Sequence, residues 1–338
     1  MSGWQDAKEW AAPELDDEQR KRLQTKVCPA CSREFEGFFV LCPTDQLSLS
    51  EIPPPTGPLS KVYEPEGKIG LGNLFEVYEG KNTSNDEKVV IKAVRRDIQC
   101  EQRSMKPFER EQMIASGLKH KNVAAIFGFG SLPNQYSLRP YIITEYVNGI
   151  SLATALERWG ACDDPAIARQ LIEQICEAFD DAQMLGAVHG DVKPNNVYVT
   201  ADGDQRLVKV VDFAISKRSF PSGTDTRYGA GSSPQSLSSS FYTAPELAKT
   251  NVPTAASDVY AIGCIVYELL TGKPPFSGTT AFELAYAHEK DEAAALPDSV
   301  NASGELRDSI MLCLSKDPQQ RPKSLAQLKS AAAATSAK

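Results

Sequence analysis

The chain has 338 residues, 41% hydrophobic and 24% charged, which indicates a globular protein with room for two packed lobes and a small appendage. A formal net charge of −8 and a pI near 5.2 argue against a nucleic-acid-binding or anionic-membrane surface, since either needs a basic face; a basic protein or peptide partner is compatible. No uninterrupted apolar run approaches the roughly 20 residues of a membrane-spanning helix, and Met1 to Trp10 lacks the basic start and apolar core of a leader, so a cytoplasmic protein without membrane insertion is expected.

Residues 1–25 are polar. Acids (Asp16, Asp17, Glu18) precede bases (Arg20, Lys21, Arg22), an order that suits a short helix dipole, and it implies no function. Eight cysteines are too sparse for a disulfide framework; Cys100, Cys162, Cys176, Cys264 and Cys313 are scattered and read as buried thiols, whereas the other three cluster early. Within 26–50, Cys28-Pro29-Ala30-Cys31 is echoed by Cys42-Pro43-Thr44-Asp45, two equivalent knuckles either side of Phe35, Phe38, Phe39 and Val40. Such knuckles put four donors around a tetrahedral metal, and the segment resembles a zinc ribbon with Asp45 where a fourth Cys is expected. The resemblance implies a structural Zn²⁺ on Cys28, Cys31, Cys42 and Asp45; the alternative is a metal-free turn with reduced cysteines. Nothing nearby supplies the His or general base of a catalytic zinc. Residues 51–60 include Ile52-Pro53-Pro54-Pro55-Thr56-Gly57-Pro58, the composition of a semi-rigid spacer that would separate the ribbon from the main domain.

From residue 61 onward, the glycine-rich Lys68-Ile69-Gly70-Leu71-Gly72-Asn73-Leu74-Phe75-Glu76-Val77-Tyr78 precedes an apolar strand, Lys88-Val89-Val90-Ile91-Lys92. A helical stretch, Phe108 to Leu118, carries Glu109 and Glu111 and leads to His120-Lys121-Asn122-Val123. Val123 to Phe129 and Tyr141 to Thr144 read as strands from their β-branched and aromatic content, followed by Glu145-Tyr146-Val147-Asn148-Gly149. Asp163-Asp164-Pro165 opens a helix whose Ile167, Leu171, Ile175, Ala178, Phe179, Ala182 and Leu185 share one face before a stop at Gly186. Next comes His189-Gly190-Asp191-Val192-Lys193-Pro194-Asn195-Asn196-Val197, which in isolation also reads as a polar turn. A buried strand, Leu207 to Val211, ends in Asp212-Phe213-Ala214, and the segment from there to Phe241 is crowded with Ser, Thr and Gly, a composition that packs no core. Phe241-Tyr242-Thr243-Ala244-Pro245-Glu246, an apolar helix from Ser257 to Leu270, and Lys316-Asp317-Pro318-Gln319-Gln320-Arg321-Pro322 complete the pattern.

In this order, over about residues 61–330, these motifs resemble bacterial (Hanks-type) Ser/Thr protein kinases. The resemblance implies an α+β, two-lobed protein-kinase-like fold, with a small antiparallel β lobe and one helix over 61–145 and a larger, mainly α-helical lobe over 149–330. The ribbon-like module would precede it and an Ala-rich tail over 331–338 would close the chain. It also implies ATP and Mg²⁺ (or Mn²⁺) as cofactors and Ser- or Thr-bearing proteins as substrates, with further protein contacts through the ribbon. By position, Asp191 is the base, Lys193 the cation beside the transferred phosphoryl, and Asn196 and Asp212 the metal ligands. Lys92 would hold the α- and β-phosphates, oriented by Glu111 in preference to Glu109. Gly70, Gly72, Val77, Val90, Thr144 (the gatekeeper), Glu145 and Val147 would line the nucleotide site, the last two through backbone groups at the hinge. Ser239 would help fix the substrate hydroxyl, Asp258 would tie down the catalytic loop, and Glu246 would pair with Arg321.

Three departures support an alternative, a pseudokinase that binds nucleotide or serves as a scaffold. Phe75 stands for the third glycine and should stiffen or obstruct the loop tip, Gly190 replaces the usual Arg, and Ala214 replaces the Gly of D-F-G. A small-molecule phosphotransferase is not expected to carry Ala244-Pro245-Glu246. Because Gly190 offers no cation to a phosphorylated segment, phosphorylation within Ser216 to Ser240 is not expected to be the main on-switch, leaving control to the placement of the Glu111 helix or to the ribbon. His288 is expected on a helix surface.

Overall fold

In the computed structural model the described residues are 3–31, 33–51, 55, 58–72, 74–96, 98, 102–133, 138–202, 205–213 and 234–334. Asn73, Cys100, Ala214, most of the Ser/Thr-rich segment, much of the proline-rich spacer and residues 335–338 lie outside them.

The acid-then-base stretch forms α1 (Asp17–Leu23). Asp16 caps it: its carboxylate accepts from Gln19 N (2.7 Å), and the Gln19 side chain accepts from Asp16 N (3.0 Å). The knuckle region folds as β1 (Thr25–Val27), β2 (Glu34–Glu36) and β3 (Ser50–Glu51), in the antiparallel order β2-β1-β3. Two matching tight turns carry the knuckles, with Cys28 N donating to Arg33 O and Cys42 N to Leu47 O.

A five-stranded antiparallel sheet comes next: β4 (Tyr63–Leu71), β5 (Phe75–Asn82), β6 (Lys88–Val94), β7 (Ile126–Pro133) and β8 (Leu138–Glu145), in the order β4-β5-β6-β8-β7. Strand alternation divides its side chains. Tyr78, Val89, Ile91 and Ile143 pack outward beneath Leu59, while Phe75, Val94 and Ile142 pack on Met105 and Phe108 of α2 (Gln102–Ser116). Phe75 is only 8% exposed in that second cluster, which corrects the expectation that it obstructs the loop tip. On the outer face Lys68 and Arg139 both bond the buried carboxylate of Glu76. Burial pushes that carboxyl up, but the two cations outweigh it and hold it below the usual range.

The larger lobe begins with β9 (Ile150–Ser151), α3 (Leu152–Trp159) and α4 (Pro165–Met184), then β10 (Val197–Asp202) and β11 (Gln205–Val210) in a sheet ordered β11-β10-β9. Helices α5 (Pro234–Ser240), α6 (Leu247–Thr250), α7 (Ala255–Thr271), α8 (Ala281–Lys290), α9 (Gly304–Cys313) and α10 (Ala326–Ala333) complete it. The apolar run forms α7, buried along nearly its whole length, started by a Thr254–Ser257 capping box and ended by Gly272 at φ +75°. No described helix is long and apolar enough to cross a membrane. Two expectations are corrected here. His288 is buried, bonded through Nδ1 to the Tyr260 hydroxyl (2.8 Å) and packed on Phe276, because α8 turns that face into the core. The start of the Ala-rich tail is part of α10, which buries Leu328, Ala331 and Ala332; small side chains allow that close approach.

The N-terminal segment is not an inert polar arm. Trp4 and Trp10 are both 0% exposed and pack with Trp159 at the end of α3. Arg206 of β11 bonds the Trp4 carbonyl, and Gln5 donates to Asp164, the cap of α4 (3.2 Å). Further along, α1 lies on the edge strand β4, and Lys68 donates to the Thr25 hydroxyl of β1. The ribbon therefore touches the small lobe directly and is not held apart by the spacer.

Candidate active site

The lobes are stitched together behind the cleft by the His120–Val123 turn. Asn122, fully buried, donates to the Gln174 side chain (2.6 Å) and to Val208 O (2.9 Å), while Val210 N donates to Asn122 O and Ala124 N to Val210 O. These bonds fix β11, and hence Asp212 just beyond it, against the small lobe.

The polar loop at 189–197 is held from three sides. The Asp258 carboxylate of α7 accepts from His189 N (2.7 Å) and Gly190 N (2.9 Å). Burial raises the Asp258 pKa although both amides and His189 oppose the shift. The His189 ring bonds Val211 O through Nε2 (2.9 Å) and packs against Phe179 and Phe213. Gly190 has φ +77°, and a Cβ there would lie 3.0 Å from Pro253, so this backbone requires glycine.

At the centre, Lys193 Nζ lies 2.8 Å from Asp191 Oδ2 and 2.9 Å from Ser239 Oγ. Asn196 donates through Nδ2 to Asp191 O (2.9 Å), which leaves its Oδ1 as an acceptor of the type a hard cation takes. Asp212 has φ +67°, a left-handed conformation uncommon for a non-glycine residue, and its carboxylate pairs with Lys92 across the cleft. A small open cavity beside Asp191 is lined by Gly190, Ser239, Tyr242, Thr243 and Leu247. The structure thus brings Lys92, Asp191, Lys193, Asn196, Asp212 and Ser239 into one region. Glu111 is half-buried on α2, and Lys92 forms an ion pair with Asp212.

Strand register puts Val77 opposite Lys92 and Val90 opposite Thr144, so all four share the sheet's cleft face. Gly70 closes against Val77, and Gly72 N donates to Phe75 O (2.8 Å) at the loop tip. At the hinge the Glu145 side chain has a use that sequence reasoning missed. It bridges Lys209 Nζ of β11 (2.8 Å) and Ala125 N (3.1 Å), tying the hinge to both lobes. Only the strand alternation of Lys209 beside Val208 and Val210 hinted at an inward-facing cation. Val147 O accepts from Gly149 N (2.9 Å), turning the chain into the larger lobe.

Below the cleft, Glu246 and Arg321 form a bidentate pair at 2.6 and 2.8 Å. Arg321 also donates to the Ser315, Lys316 and Ala256 carbonyls and stands over the Tyr260 ring.

In the ribbon, the donor atoms of Cys28, Cys31, Cys42 and Asp45 all lie within 4.8 Å of one another. Asp45 Oδ2 is 3.3 Å from both Cys28 Sγ and Cys42 Sγ, and the Cys31 and Cys42 sulfurs are 3.7 Å apart. Metal–sulfur bonds of about 2.3 Å and metal–oxygen bonds of about 2.1 Å at tetrahedral angles place donors about 3.6–3.8 Å apart, so the set fits zinc with little movement.

A β lobe with one helix, a helical lobe, and a Lys, Asp and Asn set between them define the protein-kinase fold and its cleft. The family model described as "Protein kinase domain" matches residues 63–332, and the chain belongs to that family. It is 30% identical over 274 residues to the serine/threonine-protein kinase PknB of Mycobacterium tuberculosis (strain ATCC 25618 / H37Rv), covering 80% of this chain and 42% of that protein. It is 31% identical over 260 residues to the serine/threonine-protein kinase PknA of Corynebacterium glutamicum, covering 77% and 53%. The chain therefore spans about two-fifths to half the length of these relatives. The crystal structure of the M. tuberculosis PknI kinase domain shares the fold, with a TM-score of 0.59 at 19% identity over 81% of this chain and 96% of that one.

Proposed function

We propose that the chain is an ATP-dependent Ser/Thr protein kinase. The observation that carries this reading is the convergence of Asp191, Lys193 and Ser239 within hydrogen-bonding reach of one another, opposite the Lys92–Asp212 pair. Val77, Val90, Thr144 and the backbone of Glu145 and Val147 would hold the adenine, and the Gly70–Gly72 turn would cover the phosphates. Asn196 and Asp212 supply the oxygen donors that Mg²⁺ or Mn²⁺ prefers; the ion, when bound, neutralises charge on the β- and γ-phosphates. Lys92 would face the α- and β-phosphates, with the Glu111 carboxylate keeping it oriented.

The substrate hydroxyl would sit between Asp191 and Ser239. Its oxygen bonds to the γ-phosphorus as the bond to the β–γ bridging oxygen breaks, its proton passes to an Asp191 carboxylate oxygen, and ADP leaves. Lys193, already on both Asp191 and Ser239, offsets charge on the transferring group. Packing supports catalysis over the scaffold alternative: Phe75 is drawn into the α2 core and Gly190 is dictated by its backbone, so neither departure removes a group from the centre.

A radiolabelled-ATP transfer assay on a generic protein substrate tests this. Asp191→Asn should lower turnover by about a hundred- to ten-thousandfold, the usual share of a general base, and Asp212→Ala should abolish Mg-dependent transfer. Equal turnover of wild type and both variants would refute the assignment. For the ribbon, the donor geometry supports a structural Zn²⁺ on Cys28, Cys31, Cys42 and Asp45.

A further inference from the structure

We propose that residues 4–25 form a hinge-side strap that ties the two lobes together and raises nucleotide affinity by holding the cleft closed. The inference rests on the kinase reading above. The strap has an anchor on each lobe. On the larger lobe, the Trp4, Trp10 and Trp159 rings meet at centroid distances of 4.8–5.6 Å, Arg206 stands 5.9 Å from the Trp10 ring, and Gln5 bonds Asp164. Residues 11–16 then cross, mostly exposed, a span of at most about 20 Å when fully extended.

On the small lobe α1 covers β4, the edge of the sheet. Arg20 lies 3.9 Å from Glu79, which shares the cleft face with Val77 and bonds Lys88 (2.6 Å). The Lys88 ammonium in turn stands 5.3 Å from the ring of Tyr146 in the hinge. Beyond α1, Thr25 accepts from Lys68 on the outer face, so the strap grips the strand that leads into the glycine-rich turn from both sides.

The consequence is a change in the population of closed cleft. Two lobes on one hinge bind nucleotide with an affinity reduced by the fraction of time they are open, and a second tie on the hinge side raises the closed fraction. In the strapped state the two lobes meet directly across the cleft through the Lys92–Asp212 pair. The tie is also releasable. Trp4 Nε1, Trp10 Nε1 and Arg206 Nε are buried without a hydrogen-bond partner among the described residues, and that desolvation offsets part of the gain from burying the rings.

The molecule carries its own reporter, because its three tryptophans are the three rings of the anchor. Gly3→Ala undocks the strap without removing a fluorophore: the new Cβ would lie 2.1 Å from Trp159 Nε1. The experiment measures the emission maximum and, by calorimetry, the affinity for a Mg-loaded non-hydrolysable ATP analogue, in wild type, Gly3→Ala, Trp10→Ala and Trp10→Phe. Gly3→Ala should move emission to the red and weaken analogue binding by at least about fivefold, the low end of ordinary coupling between sites. Trp10→Ala should weaken binding similarly and Trp10→Phe should restore it, with turnover at saturating ATP kept within about twofold, as for a group acting on binding alone. By reciprocity, saturating analogue should return Gly3→Ala emission toward the wild-type position.

Red-shifted emission with unchanged affinity would overturn the coupling, and wild-type emission in Gly3→Ala would overturn the docking. Loss of stability alone would lower turnover without moving the affinity, which also counts against the proposal. Failure of the kinase reading looks different: transfer is absent while the analogue still binds with the predicted differences, or no protein in the series binds it.

Discussion

Replacing Arg321 by Met isolates a buried, bidentate ion pair of the helical lobe. The Arg321 side chain is 0% exposed and meets Glu246, 18% exposed, through two parallel bonds of 2.6 and 2.8 Å. The substitution keeps most of the aliphatic volume but strands the Glu246 carboxylate and withdraws a donor from three carbonyls. Breaking one side of a buried pair costs about 3–5 kcal/mol. At about 2–4 °C per kcal/mol for a domain of this size, the melting temperature should fall by about 6–20 °C. Thermal unfolding followed by circular dichroism reads this directly. Removing both charges with Glu246→Leu in the Arg321→Met background should cost less than the sum of the single changes, because the stranded carboxylate is gone. A loss below about 1 kcal/mol for Arg321→Met, the worth of a surface pair, would refute the argument by showing that Glu246 reaches water. Glu246 stands directly after Ala244-Pro245 at the end of the Ser/Thr-rich segment, so a correct result should also appear as lost turnover.

Burial, with Lys316 nearby, lowers the His288 pKa from 6.5 to about 4, outweighing the Ser240 and Phe241 carbonyls that favour the cation. The unfolded chain then binds the extra proton first, so stability should fall by about 3 kcal/mol as pH drops from 6.5 to 4, and His288→Leu should flatten that part of a stability-versus-pH curve; an unchanged slope would contradict the burial. Purified, chelator-free protein should hold about one zinc per chain, released by Cys31→Ser; metal analysis that finds none in reduced protein would favour the metal-free turn. Phosphatase treatment should alter turnover only a few-fold, since Gly190 offers no cation to a phosphorylated segment, and a drop of about a hundredfold, equivalent to about 2.7 kcal/mol of barrier, would contradict this.

The chemistry of the cleft was legible because it is carried by short motifs whose residues stay close in sequence. Asp191, Lys193 and Asn196 sit within one turn-forming loop, while Lys92 stands inside β6 and Asp212 two residues beyond β11, each beside an apolar run that announces a buried strand and that one polar residue breaks. Less legible were groups whose partners lie far away along the chain. Trp4 and Trp10 stand in a polar segment with no period, and only Trp159 and Arg206, well over a hundred residues on, explain their burial. His288 looked like a surface residue because the apolar period of α8 is weak, and Tyr260 and Phe276 decide its face. Phe75 misled for the opposite reason: a motif position suggested a loop tip, whereas Val94, Met105 and Phe108 offered it a core.

Gly190 and the strap bear on one physical problem. A kinase cleft must be held closed long enough to align the phosphates with Asp191, and an arginine before the catalytic Asp commonly helps by ordering a phosphorylated segment through charge-assisted bonds. Here the backbone at φ +77° against Pro253 excludes a side chain at that position, so this route has no cation to use. Ties between the lobes away from the phosphate site include Asn122 to Gln174 and Val208 behind the cleft, Glu145 to Lys209 at the hinge, and the N-terminal segment beside it. The first two lie behind the cleft and at the hinge itself, so they fix where the lobes meet more than how far they open. The third reaches from the end of α3 to the edge strand β4 and leads directly into the ribbon through β1. On the proposed strap, a ligand that pulled on the ribbon would act on β4, the strand that carries Gly70.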